Sequence, residues 1–433
     1  MKMDALRQGH NTGRIGRDMY DVVAELYPLC RSITGEGVRE SLRRLRAEIP
    51  LTLHEVPSGT SVFDWTVPKE WNIRDAYVAN ASGERVIDFR KSNLHVVSYS
   101  VPVRTRMPLA ELKKHLFTLP EHPDWIPHRT AYYEESWGFC LSHRQLLGLK
   151  DGEYDVCIDS SLEAGSLTYG EYYVEGTSTE EVLISCHVCH PSLCNDNLSG
   201  MVVAAFLAKH LVPPLRYSYR VLFIPGTIGS ITWLCLNEAR VTRIRHGLVL
   251  TCLGDAGEHT YKKSRRGNAE IDRAVGLVLR DQGRAHTVVE FSPSGYDERQ
   301  FCSPGFNLPV GCLMRTVQYP EYHTSADNLD FVQPDALAAS LRTCLAVVDV
   351  LESNRRYLNQ NPKCEPQLGR RGLYHAIGGG VRATAEIRAM LWVLNLSDGD
   401  HSLLDIAERS GCPFEAVKTA ADGLLACDLL KEA

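Results

Sequence analysis

Glu181-Val-Leu-Ile-Ser-Cys-His187-Val-Cys-His190-Pro-Ser-Leu-Cys194-Asn-Asp196-Asn-Leu-Ser-Gly200 is the stretch on which the fold of this chain turns. Val182, Leu183 and Ile184 form the short, unbroken apolar run of a strand buried on both faces. His187, Cys189, His190, Cys194 and Asp196 follow within about one loop length. Asn197 to Gly200 then lead into Met201-Val-Val-Ala-Ala-Phe-Leu-Ala208, a buried helix. In open α/β sheets, ligands collect beyond the carboxyl ends of the strands, which is where this loop falls. A compact Cys/His knot is the rival arrangement. Cys186 and His187 are neighbours in a strand, so their side chains point to opposite faces and the cysteines read as buried neighbours.

Outward from this stretch, the chain has 433 residues, 44% of them hydrophobic and 23% charged, enough for two or three globular domains. A net charge of −6 offers no basic footprint for nucleic acid. The polar N-terminus has no signal-like apolar core, and no run of about 18 apolar residues occurs, so a cytoplasmic location and no membrane partner are expected. The fourteen cysteines sit in apolar contexts, which predicts buried thiols rather than disulfides.

Helical spacing predicts two opening helices, through Met19–Cys30 and Val38–Ile49. From His54 to Val103, Gly/Pro-rich turns and short alternating runs such as 94–99 predict a β-rich unit. A helix is expected over 109–119. After the focal stretch, strands over 219–224 and 247–252 alternate with helices over 231–239 and 271–279, the signature of a mostly parallel sheet covered on both faces. Further strands are expected over 287–291 and 308–314, and a long helix over 334–351. Gly378-Gly-Gly380 marks a linker. Beyond it, helices over 384–396, 401–409 and 413–425 outline a winged helix. From His401 to Ala433 six acids face three bases, the wrong sign for reading DNA, so a structural or self-association role is expected instead.

Four residues are candidates to converge on a metal: His187, Asp196, Asp255 after the strand near 250, and His323 in Tyr322-His-Thr-Ser-Ala-Asp327. The plain alternative is a strand-end imidazole and a helix-capping aspartate. His190 is read as a ligand, a neighbour of one, or core. A His followed by Asn195-Asp-Asn-Leu-Ser-Gly200 opening a helix, with the late Tyr-His-Thr motif, resembles the zinc aminopeptidase and carboxypeptidase superfamily with a phosphorylase/hydrolase-like α/β fold. Cys30-Arg-Ser-Ile-Thr-Gly-Glu-Gly37, Ser61-Val-Phe-Asp-Trp-Thr-Val-Pro68, Trp137-Gly-Phe-Cys140, Cys189-His-Pro-Ser-Leu-Cys-Asn-Asp-Asn197 and Tyr261-Lys-Lys-Ser-Arg265 resemble, more closely, a bacterial aminopeptidase-like family. Its members are often encoded beside polysaccharide or natural-product biosynthesis genes, and carry a β insertion and a C-terminal winged helix.

The resemblance implies a zinc-aminopeptidase-like domain over 1–53 and 104–365, an inserted β-rich domain over 54–103, and a winged helix over 380–433. It implies one or two zinc ions held by His187, Asp196, Asp255 and His323, and hydrolysis of an amide bond in a small peptide or biosynthetic intermediate. The superfamily's adjacent glutamates, one a general base and one a ligand, have no counterpart here: Ile224-Pro-Gly-Thr-Ile-Gly-Ser230 holds Gly226 and Thr227 instead. Without a base, attack by water loses a factor of ~10²–10⁴. Either a single metal suffices, or Glu298 supplies the base with Asp297 as its partner, or the site binds a metal or metabolite without hydrolysis. Lys262 and Arg265 are candidates to receive an anionic substrate group. A homo-oligomer formed through the insertion or the winged helix is left open.

Overall fold

The structure is a computed structural model that describes residues 12–373 and 385–433. It divides into two compact units, one of residues up to 269 with 287–342, the other of 270–286 with 343–433. The first unit is built on an eight-stranded sheet. Its strands, numbered in chain order, are β1 (Thr52–Pro57), β2 (Ser166–Val174), β3 (Glu181–His187), β4 (Ser218–Ile224), β5 (Ile244–Leu250), β6 (His259–Lys262), β7 (His286–Val289) and β8 (Val310–Met314). The spatial order is β1-β2-β4-β3-β5-β8-β6-β7. The inner pairs β4/β3, β3/β5 and β5/β8 are parallel, whereas β1/β2, β2/β4 and β6/β8 are antiparallel.

Every residue of β3, β4 and β8 is buried, which is why these strands read as continuous apolar runs rather than alternating ones. The charges inside them are matched. Arg220 of β4 donates from Nε to Glu181 Oε2 at 2.8 Å and from Nη2 to Oε1 at 3.1 Å, and it also pairs with Glu171 of β2. The helix Gly200–His210 is buried along Gly200–Ala208, so it has no polar face. Because β3, β4, β5 and β8 run the same way, the loops after His187, Ile224, Leu250 and Met314 emerge at one end of the sheet.

The expected mostly parallel, two-faced sheet is what folds, with antiparallel strands at both flanks. The β-rich region is larger than 54–103. Thr52–Pro57 joins the central sheet, and a separate four-stranded sheet takes Glu70–Ala79, Arg85–Asp88, Val103–Pro108 and Glu153–Glu163. Its longest ladder pairs Glu70–Ala79 with Glu153–Glu163, a long-range pairing that no local pattern encodes. The run 94–99 is not a strand: Asn93–His95 is a 3₁₀ turn, and Val96 and Ser98 make only isolated bridges. The helix expected over 109–119 stops at Leu112, where the chain tightens into a 3₁₀ turn over Lys113–His115.

The second unit contains Ala385–Leu396, Leu403–Ser410 and Phe414–Leu425, close to the three helices read from the sequence. Its three-stranded sheet, Asp398–Ser402, Arg356–Asn359 and Leu430–Glu432, begins at 356, well before 380. A four-residue strand whose partners lie some forty and seventy residues onward gives no periodic signal of its own. The Gly378–Gly380 linker and the start of the unit at 380–384 lie outside the described residues. Among the described residues, no helix is long and apolar enough to cross a membrane, and the cysteines are thiols, most of them buried.

Candidate metal centre

The loop after β3 is held by its own amides. Asn197 donates from Nδ2 to His187 O at 3.3 Å and to Leu250 O at 3.2 Å, and its Oδ1 accepts from Cys252 N at 3.1 Å. Asn195 Oδ1 accepts from Gly254 N at 2.8 Å, and Ser199 Oγ from Leu253 N at 2.8 Å. The Asn-Asp-Asn-Leu-Ser motif thereby pins the end of β3 to the loop after β5. Gly200 closes it, because a Cβ there would lie 2.5 Å from Leu250 O. Asp327, the last residue of the Tyr-His-Thr motif, takes Asn195 N on Oδ1 at 2.6 Å and Asp196 N on Oδ2 at 2.9 Å. Burial pushes its carboxyl up to about 7. The peptide between Asp196 and Asn197 is cis.

On this support stands a fully buried Asp196 facing three imidazoles. His187 Nε2 lies 2.7 Å from Oδ1, while His190 Nε2 and His323 Nε2 lie 3.4 and 3.0 Å from Oδ2. Ligand atoms of His187, His190 and Asp196 fall within 4.8 Å of one another. Burial opposes charge on Asp196, but His190 and His187 outweigh it and hold its carboxyl well below the usual range. Burial drives His190 to the neutral form. An ionised carboxylate among imidazole nitrogens is the donor set that borderline divalent metals such as zinc select. The residues present therefore fit a metal ion.

The structure brings His187, Asp196 and His323 together and places His190, for which three readings were open, beside them. It separates Asp255. That carboxylate accepts from Asn195 Nδ2 at 3.0 Å, from Gly257 N at 2.8 Å and from Thr316 Oγ1, so it braces the loop rather than facing the ligand cluster. From the same strand end it is Cys252 that approaches, its Sγ 3.8 Å from Asp196 Oδ1. Two residues passed unnoticed in the sequence. His128, fully enclosed and driven to about 3 by burial and by His323, has its ring 5.3 Å from those of His190 and His323. Tyr296 stacks on His187 at 5.4 Å. Neither stands in a spaced motif; the Asp327 signal, by contrast, was present in Tyr-His-Thr-Ser-Ala-Asp.

The segment 294–300 is reassigned within itself. Glu298 is ion-paired to Lys262, whose Nζ also donates to Ser294 O at 2.6 Å. Both are buried, so Lys262 is not presented to substrate and Glu298 is not open to water. Gly295, at φ 125°, lets this turn close, since a Cβ would meet Lys262 Nζ at 2.6 Å. Asp297 instead lines a cavity of about 380 Å³ together with His187, His190 and Tyr296. Its Oδ1 accepts from Thr227 N at 2.7 Å and Ser230 Oγ at 2.9 Å, and its buried Oδ2 has no protein partner. Burial raises its carboxyl above the usual range. Gly226 also lines the cavity, and a Cβ on it would point at Cys189 Sγ, 3.3 Å away, and His187 Cβ, 3.6 Å away. Arg265 is exposed and donates to Asn307 Oδ1 at 2.9 Å, outside the cavity lining.

Residues 20–354 match the family model described as a domain of unknown function (DUF4910), and 355–432 match a winged helix-turn-helix. The chain belongs to this family. A Clostridium acetobutylicum relative, provisionally named a polysaccharide biosynthesis protein with an aminopeptidase-like domain, is 56% identical over 97% of this chain and 98% of its own. A crystal structure of a protein from C. acetobutylicum, provisionally assigned as a peptidase, is 53% identical, covers 100% of both chains and superposes with a TM-score of 0.95. More remote likenesses show the fold that the family shares. A zinc aminopeptidase of Bacillus subtilis is 13% identical over 77% of this chain and 94% of its own, at a TM-score of 0.57. A peptidase M28 precursor of Shewanella amazonensis is 14% identical over 81% and 96%, also at 0.57. The family thus has an aminopeptidase-like α/β fold followed by a winged helix.

Proposed function

We propose that this protein is a metal-dependent amide hydrolase with zinc as its resident ion. The observation that carries this reading is the set of three imidazole Nε2 atoms gathered around the fully buried carboxylate of Asp196. His187, Asp196 and His190 or His323 would hold the ion, which would supply Lewis acidity and a water of pKa near ~7. Asp327 keeps Asp196 aimed by fixing two successive backbone N–H groups. Asp297 takes the part left vacant by the superfamily's glutamates: its Oδ2 is buried, unpartnered and on the cavity wall, and its raised proton affinity suits a general base. It would accept a proton from water and return it to the departing nitrogen. The relative's name, which joins polysaccharide biosynthesis to an aminopeptidase-like domain, supports a small biosynthetic amide over a general peptide.

A second reading rests on Gly226 and Thr227, which leave the superfamily's carboxylate positions empty. On that reading the protein is a metal- or metabolite-binding scaffold without peptidase activity. For the winged helix we propose a structural or self-association role without nucleic acid. Its last helix exposes Glu415 and Asp422, and Lys418 is paired to Asp349 at 3.0 Å. Metal analysis of the purified protein and of His187→Ala tests the central proposal. Stoichiometric zinc in the parent, lost in the variant, is expected; a parent without bound transition metal overturns it. Chelator-sensitive turnover of N-acyl or aminoacyl amides would remove the scaffold reading.

A further inference from the structure

The cavity beside His187 and His190 has no Lys or Arg in its wall, and among the residues that line it Asp297 is the one carboxylate. Lys262 is turned to Glu298, Arg265 to Asn307, and Arg299 reaches only the hydroxyl of the lining residue Thr227, at 3.5 Å. A phosphate, a nucleotide or a free carboxylate would find no guanidinium or ammonium on this wall. The mouth carries aromatic faces instead. Trp65, on the short hairpin Ser61–Val62/Trp65–Thr66, is 43% exposed, and Tyr133 is 50% exposed. Their rings lie 5.2 Å apart, inclined at 59°. Tyr132 and Tyr322 line the cavity further along, and Thr227 adds a hydroxyl. Large apolar rings left in solvent beside a cavity mark a binding surface. Rings mixed with hydroxyls match a ligand whose one face is C–H and whose edge is O–H.

We propose that the substrate is an uncharged N-acyl amino sugar. Its pyranose face lies on Trp65 and Tyr133, and its acylamido group is directed at His187 and Asp297. This rests on the hydrolase reading above and names the substrate class for the same site. A cavity of about 380 Å³ has the size of a small-ligand site and accommodates a short saccharide. In the reaction, a water oxygen bonds to the acyl carbon and the acyl C–N bond breaks. One water proton passes by way of Asp297 to the amine nitrogen, leaving a carboxylic acid and a free amino sugar.

Binding, measured by saturation-transfer NMR on the full-length protein, tests the inference apart from catalysis. The probes are N-acetylglucosamine, its β-1,4-linked dimer, N-acetylglucosamine 1-phosphate and leucinamide. The two neutral sugars are expected to bind. Trp65→Ala and Tyr133→Ala, both at exposed positions, should each weaken them roughly 3- to 10-fold, the worth of one aromatic contact. The phosphate should gain nothing over the parent sugar. Sugar affinity unchanged in both variants, tighter binding of the phosphate, or binding of leucinamide but not of the sugars overturns the inference. Sugar binding without amine release under metal loading keeps the amino sugar as ligand, overturns it as substrate and counts against the hydrolase reading. Turnover of leucinamide without sugar binding overturns the amino sugar and keeps the hydrolase reading.

Discussion

Asp327 supports the proposed metal centre without being one of its ligands. Both carboxylate oxygens accept backbone N–H groups beneath Asp196, at 2.6 and 2.9 Å, and the side chain is fully buried. Asp327→Asn keeps the shape but turns an amide NH₂ toward one of those donors, so one buried N–H loses its acceptor. Such a loss costs ~1–3 kcal/mol. Asp327→Ala orphans both donors, for roughly 2–6 kcal/mol if the two add. The freed loop then presents Asp196 less accurately, and loss of a group that orients a metal ligand typically lowers affinity ~10–100-fold. Urea unfolding gives the stability change, and competition with a chromogenic chelator gives zinc affinity. Asp398→Asn, at an exposed aspartate of the other unit, serves as control and should change neither zinc affinity nor the loop. An Asn variant that binds zinc with the parent's affinity would overturn this role for Asp327.

Two further outcomes separate roles that the sequence runs together. Asp297→Asn should lower kcat on an amide substrate by ~10²–10⁴-fold with zinc content intact, the range for a lost general base. Glu298→Gln, which breaks the buried pair with Lys262, should instead lower stability and leave the cavity wall in place; equal kcat losses in both would reject the assignment. Acid stability should report Glu70, whose carboxylate takes Arg39 Nη1 and Nη2 at 2.7 and 2.6 Å and whose pKa is lowered to about 2, chiefly by that pairing. A depressed carboxylate stabilises the fold above its unfolded pKa, near ~4.3, and the contribution is lost as pH falls from there toward 2. Urea midpoints measured from pH 6 to 2.5 should fall less steeply in Glu70→Gln than in the parent, and parallel curves would count against the pairing.

The local frame is written in the chain. The unbroken apolar run at 182–184, the alternation of strand and helix that follows, and the three terminal helices are set by hydrophobic period within one segment, so they were legible without neighbours. His187, Asp196 and His323 were legible too, because their motifs are local and spaced. The rest depends on which strand ends meet in the folded molecule. Asp255 and Cys252 are three residues apart at the end of β5. A bracing bond network from Asn195 and Thr316 takes the carboxylate and leaves the sulfur facing Asp196. Glu298 and Asp297 are adjacent, yet Lys262, arriving from β6, claims one and leaves the other on the cavity wall. His128 comes from a Pro-punctuated stretch with no pattern of its own. Side-chain chemistry and local period are written along the chain, whereas partnership in a buried site depends on long-range neighbours competing for the same polar atoms.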